Sequence, residues 1–109
     1  MKVSELAGKI EIKPINAVND REIEGVFISD MVSDIVAGAQ ANNLLLTIQT
    51  HKNLIATANL VDVAAIVYVR GKVPADDVVE LANRVGITLF STDLDAWKFA
   101  IKLHELGLE

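Results

Sequence analysis

The run Gln49-Thr50-His51-Lys52-Asn53 follows directly on the apolar stretch Leu44–Ile48. It places an imidazole, two amides, a hydroxyl and an ammonium in five residues. An imidazole among hydrogen-bonding groups can hold a polar ligand, or act as a general base if a neighbour orients it. Strand parity puts Thr47 and Gln49 on one face. His51 and Asn53 fall just past the strand end, where they can converge with that pair on one pocket. A helix N-cap needs only one of these residues. Thr50 is the expected cap, which puts Asn53 at the third helical position. The surplus points to a ligand or a subunit contact; a fully satisfied polar turn is the competing reading.

Other polar groups recur at the ends of apolar stretches. Ser29 and Asp30 follow Gly25–Ile28, Arg70-Gly71-Lys72 follow Ala64–Val69, and Ser91-Thr92-Asp93 follow Ile87–Phe90. Asp30 and Thr92 suit N-caps, worth about 1 kcal/mol each. Arg70-Gly71-Lys72 reads as a solvated turn, and Asp76 and Asp77 suit the dipole of a helix start. The candidate ligand-binding set is therefore Asp30, Thr47, Gln49, Thr50, His51, Asn53, Arg70 and Thr92.

Several chemistries lack their residues. His51 and His104 are far apart in sequence with no carboxylate pattern between them, so no metal site is expected. Without cysteine there is no thiol chemistry. No GxSxG supports a nucleophile such as Ser29 or Ser33. Gly71-Lys72 lacks the upstream glycine and the following hydroxyl of a phosphate-binding loop, and GxGxxG is absent. No motif specifies a cofactor.

These groups need a scaffold, and the pattern supplies one. Val3–Gly8 reads as a short opening helix and Ile10–Ile15 as a brief edge strand ended by Pro14. Gly25–Ser29, Leu44–Gln49, Ala64–Val69 and Ile87–Ser91 read as strands, the middle two apolar enough for burial on both faces. Between them lie helical stripes: Val32, Ile35, Val36 and Ala39; Leu54, Ala58 and Val61; Val78, Leu81, Ala82 and Val85, closed by Gly86. Leu94, Trp97, Ile101 and Leu106 give the final helix its expected apolar side, and Gly107 ends it. The four later strands start about 20 residues apart, the length of a compact strand–helix unit. Such alternation specifies an α/β fold: three layers, α/β/α, around a mostly parallel sheet of about five strands. In open parallel sheets ligands bind beyond the carboxyl ends of the strands, where the polar residues collect.

At 109 residues and 51% hydrophobic, the chain is expected to form a single domain spanning residues 1–109. The formal charge of -5, with no basic stripe, argues against nucleic-acid binding. No apolar run is long enough for a membrane span. Glu5, Lys9 and Glu11 interrupt any targeting segment at the start, so a cytoplasmic location is expected.

The segment VFISDMVSDIVAGAQANNLLLTIQTHKNLIATANLVDVAAIVYVRG resembles the DRTGG domain family, and more closely small stand-alone proteins related to the N-terminal domain of HPr kinase/phosphorylase. The matching residues are Ser29-Asp30-Met31, Thr47–His51 with Asn53, and Ile55–Leu60; TLFST before the last helix and the final LHELGL fit as well. Thr50-His51-Lys52-Asn53 stands where the family's Asp-Arg-Thr-Gly-Gly motif would lie. The resemblance implies a three-layer fold like that N-terminal domain, and a regulatory or ligand-sensing role. Such modules are found fused to kinase, phosphotransacetylase or CBS-containing pyrophosphatase domains. Stand-alone members look like companions of iron-only hydrogenase and redox genes.

Three functions follow as expectations. The first is a non-catalytic regulatory or sensing domain, a homodimer, taking a small anion or nucleotide, or a redox or hydrogenase-associated protein partner, at the strand ends. The second is a small enzyme with His51 as general base, oriented by Asp30 or Asn53. The third is a structural subunit whose TIQTHKN turn is buried in a complex. Without its phosphate loop the chain is not expected to be a kinase by itself.

Overall fold

The computed structural model of the chain describes residues 1–108. A 3-10 segment, Val3–Gly8, leads into strand β1, Lys13–Pro14. Three strand–helix units follow: β2 (Val26–Ile28) with α1 (Val32–Gly38), β3 (Leu44–Thr47) with α2 (Lys52–Val61), and β4 (Ala65–Tyr68) with α3 (Asp76–Val85). Strand β5 (Thr88–Ser91) and helix α4 (Ala96–Glu105) complete the fold. The strands form one five-stranded sheet in the order β1-β5-β4-β3-β2. All neighbours are parallel except β1, which runs antiparallel to β5. No helix among the described residues is long and apolar enough to cross a membrane.

Burial explains the order. Every residue of β3 and β4 is buried, so these all-apolar strands occupy the middle. Alternate side chains feed two cores. Leu45, Ile66 and Leu89 pack with Ile35 of α1, Leu54, Ile55 and Ala58 of α2, and Val78 and Ala82 of α3. Leu44, Leu46, Val67 and Phe90 pack on the other side with Val3, Leu6, Phe99 and Leu103. The result is the expected three-layer α/β/α arrangement. Each fully buried leucine contributes about 2 kcal/mol of transfer free energy. Gly86 closes α3 in the left-handed region at φ 79°, as its position after Val85 predicts.

Three expectations change. The Ile10–Ile15 strand shrinks to Lys13–Pro14 at the sheet edge, where a residue without an N–H is tolerated, and Ile10 and Ile12 pack into the core ahead of it. In α1 the predicted stripe is only partly used: Ile35 is buried, while Val32 and Val36 are exposed. This seven-residue helix follows the edge strand β2 and packs on α2, with no further helix beyond it. In α4 the buried pair is Phe99 and Leu103, and Trp97 is 73% exposed. Trp97/Ile101 and Phe99/Leu103 are both spaced i, i+4, so periodicity alone could not choose between the two stripes.

Candidate functional site

Every predicted site residue lies at or beyond the carboxyl end of the parallel strands. Asp30 follows β2, the run from Thr47 to Asn53 leaves β3, Arg70 follows β4 and Thr92 follows β5. The cause is the parallel sheet: each helix returns antiparallel to its strands, so the strand-to-helix loops all collect at one end.

Asp30 and Thr47 form the link between β2 and β3. The Thr47 hydroxyl donates to Asp30 Oδ1 at 3.0 Å, and the Ile48 N–H donates to the same oxygen at 2.8 Å. Asp30 is therefore not the N-cap of α1. That position belongs to Met31, which makes no side-chain capping bond, while Ser29 Oγ accepts the Met31 N–H at 3.2 Å.

From Thr47 onward the chain makes three consecutive turns of one kind. The Gln49 N–H donates to Thr47 Oγ1 at 3.0 Å, the His51 N–H to Gln49 Oε1 at 3.1 Å, and the Asn53 N–H to His51 Nδ1 at 3.1 Å. Each side chain accepts from the backbone two residues on, which satisfies donors that have left the sheet and not yet joined the helix. His51, not Thr50, caps α2. With His51 as the cap, Asn53 occupies the second helical position. His51 is exposed, and an Nδ1 that accepts leaves Nε2 as the ring's outward-facing N–H. Its cap bond is to backbone, so neither the Asp30 carboxylate nor the Asn53 side chain orients the imidazole. Thr50 and Asn53 make no side-chain hydrogen bond among the described residues.

Arg70 and Gly71 form a tight reversal after β4. Both have positive φ, 58° and 71°, and the Lys72 N–H closes the turn on Val69 O at 3.2 Å. A non-glycine residue in this region costs roughly 1–2 kcal/mol. The turn is held by the neighbouring loop: the Arg70 N–H donates to Leu94 O and the Gly71 N–H to Thr92 O, both at 2.8 Å. The Arg70 side chain is exposed. Among the described residues, Lys52, Arg70 and Lys72 make no ion pair, in contrast to Arg21, Arg84 and Lys102.

Thr92 is buried and does not cap α4. Its hydroxyl donates to Glu11 O at 2.7 Å and accepts the Leu94 N–H at 3.2 Å, while Asp95 caps the helix through the Lys98 N–H at 2.8 Å. Thr92 also lines a concavity of about 500 Å³ between the Ala7–Lys13 segment and the loops after β4 and β5. A second concavity, about 430 Å³, lies at the opposite sheet end around Asn16, Asn19 and Gly86, and a third, about 310 Å³, is lined by Lys2, Asp20, Arg21 and Glu22. None of the three is lined by Gln49, His51, Asn53 or Arg70. The structure thus joins Asp30, Thr47, Gln49, His51 and Asn53 into one hydrogen-bonded run, and sets Thr92 apart from it.

Tyr68 carries no weight in the sequence reading beyond the strand it belongs to. Register places it beside Thr47 on one side and Ser91 on the other. It is fully buried, its hydroxyl has no hydrogen-bond partner among the described residues, and burial raises the phenol above its ordinary pKa. A lone phenol inside the apolar stretch AAIVYV was the only available signal.

No protein-family model matches the chain, and no curated protein does either. A solved structure with a similar fold contains the CBS and DRTGG domains of the regulatory region of Clostridium perfringens pyrophosphatase, complexed with its activator, diadenosine tetraphosphate. The likeness has a TM-score of 0.62 at 16% identity, and covers 72% of this chain and 34% of that one. At that identity the likeness is one of fold, and the matched part is about a third of the pyrophosphatase regulatory chain.

Proposed function

We propose that this chain is a non-catalytic regulatory domain of the DRTGG type, binding a small anion or nucleotide at the carboxyl ends of β3 and β4. The observation that carries this reading is the gathering of Lys52, Arg70 and Lys72 at one sheet end without ion pairs, in a chain whose net charge is -5. Asp30 and Asp93 lie at the same sheet end, and Lys2, Lys13 and Lys98 are likewise without an ion pair among the described residues, so it is the grouping of these three cations beside the strand ends that favours an external anion. They flank a stretch whose backbone is fixed by the Asp30–Thr47 link and the three turns after it. His51 Nε2, Thr50 and Asn53 add hydrogen-bonding groups in the loop after β3 and the first turn of α2. The activator of the fold neighbour is a nucleotide with several phosphates, which fits the same chemistry. A thermal-shift panel of nucleotides and small anions tests this. Stabilisation by at least one of them, reduced in His51→Ala, is expected; no stabilisation by any, with the variant responding like the parent, contradicts it.

A second reading has its own observation. Ile28, Met31, Val32 and Val36 are all exposed large apolar side chains from the β2–α1 unit at the sheet edge. An unprotected edge strand beside apolar surface favours assembly, and a second copy of the chain is the occupant this reading commits to. Light scattering of the parent and a Met31→Ser/Val36→Ser variant tests it: a dimer that the variant dissociates supports it, and a monomeric parent contradicts it.

A further inference from the structure

We propose that two copies of this chain join along β2, antiparallel and centred on Phe27, so that one sheet runs through both. This rests on the reading that the chain self-associates, and it names the register by which it does so. The two sheet edges differ. The β1 edge is Lys13–Pro14, and a lysine beside a proline without an N–H blocks strand addition. The β2 edge, Val26–Ile28, has neither device. On its inner side Gly25 O accepts the Leu44 N–H at 3.0 Å, and the Ser29 N–H donates to Leu46 O at 3.2 Å. Alternate residues of a strand bond to one neighbour, so Gly25, Phe27 and Ser29 face β3 while Val26 and Ile28 turn their N–H and C=O groups to the open edge. Antiparallel pairing sets Val26 opposite Ile28 of the second copy, and Ile28 opposite its Val26. Both are hydrogen-bonded pairs, about four backbone bonds in all, and Phe27 meets its own copy at the two-fold axis.

The side chains single out a second copy as the occupant. Helix α1 lies over β2 and β3: Ile35 packs with Leu45, and a Cβ on Gly38 would lie 2.8 Å from the Phe27 ring. Strands stand about 4.8 Å apart, so two such helices related across the edge lie about two spacings apart, near the roughly 8–10 Å of packed helices. Val32 and Val36, one turn apart, stay exposed although α1 packs on α2, so they lie on the flank that α2 leaves open and fill the gap between the two helices. A lone peptide strand would cover Ile28 and leave these valines bare; a second copy covers all three. Charge does not oppose it, since Val26–Ser29 carries none. Beyond the strand the register brings Glu24 toward Asp30 of the second copy, but each carboxylate is held on its own chain. Asp30 Oδ1 takes the Thr47 hydroxyl and the Ile48 N–H, and Glu24 Oε2 takes Asn42 Nδ2 at 3.3 Å.

The chain has no cysteine, so introduced cysteines report the register directly. The test is mild oxidation of full-length Phe27→Cys, of Ile28→Cys, and of an equal mixture of Val26→Cys and Ile28→Cys, beside sedimentation velocity of the parent. Opposed Cα atoms stand about 4.5 Å apart at the two-fold position and about 5.5 Å in the hydrogen-bonded pair, both within disulfide reach. Ile28 and its own copy are diagonal neighbours at about 7–8 Å, beyond that reach. The expected result is a parent dimer, linked dimers from Phe27→Cys and from the mixture, and about tenfold less linkage or lower from Ile28→Cys alone. Ile28→Lys, at an exposed side chain, should be monomeric with an unchanged urea midpoint. A dimeric parent overturns the register, and leaves association by another face, if Ile28→Cys alone links as readily as the mixture, if nothing links, or if Ile28→Lys stays dimeric. A monomeric parent overturns the register and self-association together. The mixture keeps Phe27, so the outcome does not depend on Phe27→Cys folding.

Discussion

Asp30 and Thr47 stand 17 residues apart in the chain, yet the Thr47 hydroxyl donates to Asp30 Oδ1 at 3.0 Å. The same oxygen takes the Ile48 N–H, so one carboxylate ties the exit of β2 to the exit of β3. Both strands end there, and the last backbone bond between them is from the Ser29 N–H to Leu46 O at 3.2 Å. Hydrogen bonds to a charged acceptor are worth about 1.5–3 kcal/mol, less where water competes, as it does at this exposed residue. Asp30→Ala is expected to lower unfolding free energy by about 1–2 kcal/mol in urea titration. Asp30→Asn, which keeps an acceptor oxygen, should lose about half as much. Combining Asp30→Ala with Thr47→Val should cost less than the sum of the two single changes, because both break one interaction.

His51 caps α2 through Nδ1, and under the proposed function it would also offer Nε2 to a ligand. His51→Ala is expected to cost about 1 kcal/mol of stability, the usual value of an N-cap. His51→Asn restores a preferred cap residue and should return stability to within a few tenths of a kcal/mol of the parent. If ligand response stays lost in His51→Asn while stability recovers, the imidazole contacts ligand. Stability unchanged in His51→Ala would contradict the capping bond.

Tyr68 should show its buried hydroxyl through pH. Burial raises the phenol above its ordinary value near 10, so the folded chain holds the proton after the unfolded chain has begun to release it. Stability contributed by this group is complete below the unfolded value and falls as pH rises above it. Tyr68→Phe removes an unpartnered polar atom and is expected to leave stability at pH 7 equal or higher. It should also flatten the loss of stability above about pH 10. Denaturation midpoints of both proteins at neutral and alkaline pH check this; a Phe variant destabilised by several kcal/mol would indicate a hydroxyl partner.

Gly38 marks a tight contact between α1 and β2. A Cβ there would lie 2.8 Å from two ring atoms of Phe27. Alanine ordinarily improves a helix position by about 1 kcal/mol. At this site Gly38→Ala is expected to destabilise instead, by about 1–2 kcal/mol, and Phe27→Leu in the same chain should recover part of the loss. A stabilised Gly38→Ala variant would show that the ring moves aside freely.

Much of this was legible in the residues. The unbroken apolar runs LLLT and AIVY made central strands, Gly86 ended its helix, and the roughly 20-residue spacing gave the parallel sheet. The polar residues that follow the strands lie together at one sheet end because parallel strands joined by returning helices leave their loops nowhere else. The cap assignments failed for a shared reason. Thr50, Asp30 and Thr92 are all good caps by type, but the residue that caps is the one whose side chain meets the free N–H. Chain direction out of each strand decided that: His51 took α2, Asp95 took α4, and Asp30 turned toward Thr47. The stripe on α4 was ambiguous because both candidate pairs have helical spacing. The pairing of Lys13 with Ser91 depends on an antiparallel register that no local pattern announces.

In the proposed function, Lys52, Arg70 and Lys72 serve an anion at the strand ends. Arg70→Gly isolates it, since glycine accepts the backbone conformation at φ 58° and should not lower stability by more than a few tenths of a kcal/mol. Isothermal titration calorimetry of the full chain with ATP and diadenosine tetraphosphate, at low and moderate salt, is the direct measurement. Saturable binding by at least one of them is expected, weakened by salt and reduced about tenfold or more in Arg70→Gly. Binding by neither nucleotide, or binding that Arg70→Gly and salt leave untouched, would contradict it.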